Sequence, residues 1–186
     1  DKSDNRSTLS SSSNFLNMVG NYCMNYIFPG SFDPFTKGHF ELVKRISKFG
    51  NVVILLSSNS SKKNMFSVHQ RKHIIELSVS DLENVSIDVL KENVPVVSYA
   101  KMHNGILVRG LRSSIDFQYE QNIDWVNKNI ENKVETLYIM SNPNDVVFSS
   151  SNVRELIKLN LNISKFLCNE KVEEYINSIC HHMIAG

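Results

Sequence analysis

Several features are scarce in this chain of 186 residues, and each absence excludes a class of protein. Basic and acidic residues nearly balance, at 20 and 19, and the net charge is only +1. The sequence therefore lacks the electrostatic footprint of a protein that binds DNA, RNA or an anionic membrane surface. It also contains no apolar run near the ~20 residues that a bilayer-spanning helix needs.

The few cysteines do not indicate a scaffold of disulfides or zinc ligands. The chain has 3 cysteines, Cys23, Cys168 and Cys180, far apart and without a C-x-x-C pair. An odd, scattered set argues against a disulfide framework or a zinc knuckle and suits a reducing compartment. We interpret all of them as ordinary buried or half-buried thiols.

The first part of the chain differs from the remainder in its lack of apolar residues. Asp1 to Asn14 contains a single leucine among polar residues, so it cannot offset its ordering entropy by burying apolar surface. We predict a disordered polar leader over residues 1–21 and one domain over residues 22–186. No signal-peptide pattern is present. We expect a cytoplasmic protein, and organellar targeting stays open.

From Met24 onward, short apolar runs alternate with segments of helical periodicity. Strands separated by helices of this length imply parallel pairing with right-handed crossovers. We therefore predict an α/β fold: a single Rossmann-like domain with a doubly wound, parallel, five-stranded sheet and helices on both faces. The predicted strands are 25–28, 51–56, 85–90, 105–108 and 135–140. The predicted helices are 38–48, 67–79, 95–103, 115–129, 149–159 and 169–180.

Two further absences restrict the chemistry. The sequence has neither the G-x-G-x-x-G dinucleotide fingerprint nor the G-x-x-x-x-G-K-[ST] phosphate loop. No Ser/His/Asp or Cys/His arrangement is visible, so a covalent nucleophile is not expected. In a sheet of this kind ligands bind beyond the carboxyl ends of the strands. The loops that follow the predicted strands are therefore where we look for function.

The first such loop runs from Phe28 to His39 and reads F-P-G-S-F-D-P-F-T-K-G-H. Gly30 and Gly38 lack a Cβ where a phosphate would approach the backbone. The helix that starts near Gly38 directs free N–H groups and its positive dipole end at the loop. His39 can donate to a phosphoryl oxygen there. The alternative is a simple Pro/Gly turn with a polar cap.

Three other segments carry phosphate-directed groups. Arg109-Gly110-Leu111-Arg112 directly follows a predicted strand, and arginine suits bidentate phosphate contacts. Lys62 and Lys63 follow the 51–56 strand. Ser149, Ser150 and Ser151 stand at a helix start, with Arg154 one turn later, where capping alone needs one serine. Each segment has an ordinary alternative, namely surface cations on a turn or compositional serine bias.

A helix after the 105–108 strand adds two carboxylates on one face, Asp116 and Glu120. Glu120 can accept a hydrogen bond from a ribose or an adenine amine, or it can simply be solvated. All of these segments lie at carboxyl ends of predicted strands or on the helices just after them, which favours one phosphate-binding site.

Read together, the segments resemble a known superfamily. Gly30-Ser31-Phe32-Asp33-Pro34 followed by Thr36-x-Gly38-His39 is similar to the T/HxGH signature of nucleotidyltransferases, and Ser149 to Arg154 resembles their SSS/TxxR signature. Lys62-Lys63-x-Met65-Phe66, Arg109 to Arg112 and Asp116-Phe117-x-Tyr119-Glu120 narrow the resemblance to bacterial-type phosphopantetheine adenylyltransferases. The similarity spans about Tyr26 to Ile176.

This resemblance implies a reaction of coenzyme A biosynthesis in which ATP and 4′-phosphopantetheine, with Mg²⁺, give dephospho-coenzyme A and pyrophosphate. It implies in-line attack without a covalent enzyme intermediate and without a metal-binding residue. His39 and Lys62 are the implied catalytic residues, and Ser31, Lys62 and Arg109 the implied binders of phosphopantetheine. The implied ATP-binding residues are Ser31, Phe32, His39, Gly110, Arg112, Glu120, Ser149, Ser150 and Ser151.

The family further implies a homo-oligomer, a hexamer, and no nucleic-acid or membrane partner. Some residues depart from its pattern: Ser31 replaces the commoner threonine, Asn64 replaces a usual proline, and Val89 to Ser98, expected to line the pantetheine arm, matches poorly. Two alternatives stay open. One is a related adenylyl- or cytidylyltransferase, and the other is a non-catalytic nucleotide-binding domain that kept the fold.

Overall fold

A computed structural model of the chain describes residues 24–58 and 63–184. The five strands are β1 (Asn25–Gly30), β2 (Asn51–Ser57), β3 (Val85–Leu90), β4 (Gly105–Leu111) and β5 (Thr136–Met140). The helices are α1 (Lys37–Ile46), α2 (Val68–Ser78), α3 (Val96–Met102), α4 (Ser114–Ile130), α5 (Ser150–Lys158) and α6 (Glu170–Ile184). Short 3₁₀ turns occupy Pro143–Asp145 and Ser164–Phe166. The predicted leader, residues 1–21, lies outside the described residues.

All strand pairs are parallel, and the strand order is β3-β2-β1-β4-β5. Neighbouring residues of a strand face opposite sides of the sheet, so Ile27 packs into one core cluster and Phe28 into the other. The same alternation separates Leu55 from Ile54. Helices therefore cover both faces, which explains why the central strands β1, β2 and β4 contain continuous apolar runs. The predicted fold class is confirmed.

The two faces are unequal. On the larger side α1, α2, α5 and α6 pack around residues such as Val43, Ile75 and Ile176. On the smaller side α3 contributes Val97 and Ala100. Helix α4 runs along this second side without burying any of its residues. No helix in the described ranges is long and apolar enough to cross a membrane.

Two strands extend at least two residues further than the sequence predicts. β1 continues through Gly30, because Pro29 and Gly30 stay in register with Leu55 and Leu56 of β2. β4 continues to Leu111, because its last residues pair with β5. The prediction that Arg109 and Gly110 follow the strand is therefore wrong, since both residues belong to it. Parallel pairing on one side only is enough to hold these ends extended.

The extension creates a cleft. β1 and β4 pair with each other only over their first three residues, which are Asn25–Ile27 in β1 and Gly105–Leu107 in β4. Beyond that point β1 stays with β2 and β4 stays with β5, so the two central strands diverge towards their carboxyl ends. This is the switch point of the sheet, where the order of the strands reverses and where ligands of such folds bind.

Candidate active site at the switch point

A cavity fills the cleft between the diverging ends of β1 and β4. Most of the residues that the sequence singles out line it. The lining residues are Phe28, Pro29, Gly30, Ser31, Phe32, Gly38, His39, Leu42, Arg109, Gly110, Arg112, Glu120, Ser141, Asp145 and Ser150. Three parts of the chain, residues 28–42, 109–120 and 141–150, therefore converge on one site.

His39 is oriented by the backbone of its own helix. It occupies the third position of α1, and the N–H of Thr36 donates to its Nδ1 at 3.0 Å. A nitrogen that accepts cannot carry the proton, so the proton of the neutral ring is on Nε2. The Thr36 hydroxyl donates elsewhere, to the carbonyl of Phe148 at 2.6 Å.

Aromatic rings surround the imidazole of His39. The Phe32 ring lies 5.2 Å from it in an edge-on arrangement, and the Phe35 ring lies at 5.3 Å. Burial in this environment, together with the positive charge of Arg112, lowers the pKa of His39 from 6.5 to about 3. His39 is therefore a neutral hydrogen-bond donor at physiological pH and not a cation.

Two glycines allow the close approach of elements around the cavity. A Cβ on Gly38 would lie 3.1 Å from the carbonyl oxygen of Phe148 and 3.2 Å from that of Asp145. A Cβ on Gly110 would overlap with the Leu42 side chain. The structure thus gives both glycines a packing reason, which for Gly38 is in addition to the access to backbone that the sequence suggests.

Arg109 and Glu120 are joined directly. The Nε of Arg109 donates to Oε2 of Glu120 at 2.6 Å, and a terminal nitrogen of Arg109 donates to the carbonyl of Pro29 at 3.2 Å. That last bond spans the gap where β1 and β4 no longer pair. Arg109 therefore bridges the cleft, and Glu120 fixes the orientation of its guanidinium.

A second cavity shares this wall. Arg109 and Glu120 line it too, but its other side is more apolar, with Pro95, Val96, Leu107, Ile123, Asp124, Asn127, Thr136 and Tyr138. Pro95 and Val96 come from the stretch that matches the family pattern poorly. The phenol of Tyr138 is within 3.4 Å of the Glu120 carbonyl. Its pKa is raised by burial and by the charges of Asp124 and Glu120.

Asp116 acts on the backbone. Its carboxylate accepts from the N–H of Arg112 at 2.9 Å, while its own N–H donates to the Ser113 hydroxyl. It thus closes the turn between β4 and α4 and sets the start of the helix that carries Glu120.

The three serines at the start of α5 make different contacts. Ser150 lines the cavity and donates to the carbonyl of Pro34 at 2.8 Å. Ser149 caps the helix by accepting from the N–H of Asn152, and the Ser151 hydroxyl accepts from Arg154. Arg154 also donates to the carbonyl of Asp33 at 2.7 Å. Ser149 and Ser151 are thus beside the cavity and not among its lining residues.

The structure leaves one predicted residue without a position and adds others. Lys62 falls in residues 59–62, outside the described part. Ser141 and Asp145 line the cavity without having been predicted. Ser141 directly follows β5, so the rule that ligands bind beyond strand ends, applied to the last strand, would have found it. Asp145 sits on a 3₁₀ turn that periodicity does not reveal.

Neither a metal cage nor a reactive thiol is visible in the described ranges. No group of three or more His, Cys, Asp or Glu side chains there could hold a metal ion. Cys168 and Cys180 are half-buried and free, and burial raises the pKa of Cys168 to about 11. A thiol that stays protonated is a poor nucleophile.

The fold and this site define a nucleotidyltransferase of the cytidylyltransferase-like family, whose sequence pattern the chain matches over residues 27–156. A Clostridium perfringens phosphopantetheine adenylyltransferase is 36% identical over 150 residues, which is 80% of this chain and 90% of that one. The phosphopantetheine adenylyltransferase of Nautilia profundicola is 33% identical over 150 residues, or 80% and 96% of the two chains. The chain therefore belongs to the phosphopantetheine adenylyltransferase family.

A solved structure supports the fold independently. A protein from Vibrio parahaemolyticus, provisionally assigned as a nicotinate-nucleotide adenylyltransferase, superposes with a TM-score of 0.63 over 83% of this chain and 99% of its own. Its sequence identity is 16%, so this likeness concerns the fold alone.

Proposed function

We propose that this chain transfers the adenylyl group of ATP to 4′-phosphopantetheine and releases pyrophosphate, giving dephospho-coenzyme A. Family membership supports the substrate pair. The observation that carries the proposal is the neutral His39, which bears its proton on Nε2 and lines the same cavity as Arg109 and Arg112. That cavity offers donors for phosphates.

The reaction needs no covalent intermediate. An oxygen of the phosphopantetheine phosphate forms a bond to the α-phosphorus of ATP, the bond from that phosphorus to the bridging oxygen breaks, and pyrophosphate leaves with the electron pair. Catalysis is then the alignment of two phosphates and the stabilisation of charge on the transferred group. His39 Nε2–H, the N-terminus of α1 and Arg112 supply that stabilisation without taking up a proton.

The two cavities divide the substrates between them in this proposal. ATP occupies the cavity that contains Gly110, Arg112 and Ser150, with its β- and γ-phosphates towards the start of α5. Arg109, in the shared wall, meets the phosphate of phosphopantetheine, and the arm of that substrate extends into the more apolar second cavity. The roles of Ser31, Phe32, Lys62, Ser149 and Ser151 rest on the family pattern. They stay predictions.

Mg²⁺ enters in this proposal with ATP. This ion keeps several waters and binds mainly through substrate phosphates, with one or two carboxylates at most. Asp145 and Glu120 are the acidic residues that line the cavity, and Glu120 is engaged with Arg109. Asp145 is thus the better placed of the two to contact the hydrated ion.

The assembly of several copies is also proposed. One face of α4 presents Ile115, Tyr119, Val126 and Ile130, which follow one another at helical spacing and are all exposed. An apolar stripe of this kind on a helix that buries nothing suits contact with a second copy of the chain. The hexamer of the family is the expected assembly.

The test is pyrophosphate release from ATP and Mg²⁺ with 4′-phosphopantetheine as acceptor. We expect release by the wild-type chain and a 10²- to 10³-fold lower turnover in His39→Ala, since one donor to transition-state charge contributes about 3–4 kcal/mol. ATP affinity should change far less. Equal losses of turnover and affinity would contradict the transition-state role. Turnover with nicotinamide mononucleotide or a cytidine substrate instead would favour another transferase.

A further inference from the structure

Two charged side chains that the sequence analysis did not assign to the site are buried beneath it. Arg71 of α2 is 1% exposed, and Asp33 of the first loop is 4% exposed. Charged residues are rarely buried to this degree unless every polar atom has a partner. The partners of both are therefore informative.

Arg71 joins three segments of backbone. Its Nε donates to the carbonyl of Phe66 at 3.1 Å, and one terminal nitrogen donates to the carbonyls of Ser31 at 2.5 Å and Ser57 at 3.1 Å. Ser31 directly follows β1, Ser57 ends β2, and Phe66 precedes α2. A guanidinium can reach acceptors in several directions at once, which a lysine ammonium on a flexible stem does less well.

Asp33 holds the same region from the other side. Its two carboxylate oxygens accept from the N–H groups of Met65 at 2.8 Å and Phe66 at 2.9 Å. The peptide groups of Phe66 are thus fixed at both ends, the N–H by Asp33 and the carbonyl by Arg71. Asp33 and Arg71 also attract each other electrostatically.

Between these anchors lies a strained residue of the cavity. Phe32 has φ of 45°, in the left-handed region that bulky side chains rarely adopt. Its ring packs edge-on against His39 at 5.2 Å and occupies the space that a Cβ on Gly30 would fill. Such a conformation persists only where neighbours enforce it, and Arg71 binds the carbonyl just before Phe32.

We propose that Arg71 and Asp33 are positioning residues, which hold the Ser31–Phe32 turn in its left-handed conformation and thereby place the Phe32 ring against His39. The inference deepens the adenylyl transfer proposed above and rests on it. Neither side chain touches the reacting groups in this scheme. Arg71 acts through Phe32 on His39.

The experiment is a double-mutant cycle between Arg71→Lys and His39→Ala, read as turnover and as KM for each substrate. We expect Arg71→Lys to lower turnover at least tenfold in the wild-type background and less than twofold in the His39→Ala background. A merely structural role would lower the active fraction by the same factor in both backgrounds, which would overturn the proposal. So would an unchanged turnover.

Three further measurements keep the outcome readable. Lys72→Met, at the exposed neighbour of Arg71, should leave turnover unchanged. If Arg71→Lys does not fold, as judged by circular dichroism, Asp33→Asn replaces it in the cycle with the same expectation. If the wild type does not release pyrophosphate, the proposed function fails. The positioning role of Arg71 is then tested by the imidazole resonance of His39. That resonance should move in the Arg71 variant and stay fixed in Lys72→Met.

Discussion

The Nε of Arg109 lies 2.6 Å from Oε2 of Glu120, and this pair forms the wall shared by the two cavities of the cleft. Arg109 belongs to β4 and Glu120 to α4, so the pair also ties the helix to the strand that precedes it. The family pattern assigns the two side chains to different substrates. In the proposed scheme, their direct contact makes the binding of each substrate depend on both residues.

Removal of the charge from this pair should therefore affect both substrates. In Glu120→Gln the ion pair becomes a hydrogen bond from the guanidinium to an uncharged amide oxygen, and Arg109 is less firmly held. Bonds of this kind contribute about 1.5–3 kcal/mol, so we expect kcat/KM to fall about 10- to 100-fold for ATP and for phosphopantetheine. Initial-rate kinetics with each substrate varied in turn measure this.

The matched control is Glu155→Gln, which weakens the surface pair of Glu155 with Lys158 at 2.7 Å. Exposed pairs of this kind contribute little, and we expect unchanged kinetics. A loss confined to one substrate in Glu120→Gln would show that the two sites are independent of each other.

Local patterns predict much of this fold. The alternation of apolar runs and helical periodicity located every strand and α-helix of the described residues, because the central strands β1, β2 and β4 carry buried residues and the helix starts carry signals of their own. Ser67, for example, accepts from the N–H of Gln70 as its position before a helix predicts. The boundaries of β1 and β4 were not predictable, since they depend on which neighbouring strand each end follows.

The sequence predicts which types of residue form the site, but not which hydrogen-bond partners those residues have. The sequence places His39, Arg109 and Glu120 at strand ends or on the next helix, where the cavity is found. The bond of Arg71 to the carbonyl of Ser31 and the bond of Arg109 to the carbonyl of Pro29 join segments far apart in the chain. No local pattern contains that information.

Because the pKa of His39 is lowered, its imidazole should not titrate near neutral pH. Burial and the charge of Arg112 lower this pKa to about 3, so the imidazole stays neutral from pH 8 to pH 5. Proton NMR of the folded chain should show no titration of the His39 ring near pH 6.5. The same ring in the denatured chain, which serves as the control, should titrate near its ordinary pKa of 6.5.

The same shift affects stability. Below pH 6.5 the unfolded chain takes up a proton at His39 that the folded chain refuses until about pH 3. The free energy of unfolding should therefore fall as the pH decreases through this window, and the fall should be less steep in His39→Gln. Equal slopes for the two chains in urea titrations at several pH values would contradict the lowered pKa.

Gly110 and Leu42 should behave as a coupled pair. A Cβ added at Gly110 would overlap with the side chain of Leu42, which is buried in the core and lines the cavity. We expect Gly110→Ala to lower the free energy of unfolding by about 1–3 kcal/mol, as overpacked cores do, and to reduce turnover. Leu42→Val removes a methylene and should restore part of the loss. If the changes in the free energy of unfolding of Gly110→Ala and Leu42→Val simply add in the double variant, steric overlap is excluded as the cause.

The exposed face of α4 provides the last prediction, which concerns assembly. Val126 is 59% exposed and stands in the middle of the stripe with Tyr119 and Ile130. If this stripe contacts a second copy, a carboxylate there would be desolvated without a partner, which costs several kcal/mol per buried ion. Val126→Asp should therefore shift the mass measured by light scattering towards that of the single chain.

Phe49→Asp introduces the same charge at an apolar residue that is 73% exposed in the turn after α1, and it should leave the mass unchanged. Equal masses for the wild type and Val126→Asp would show that the stripe is not the contact, because an interface that includes Val126 in every copy cannot accept the charge without weakening.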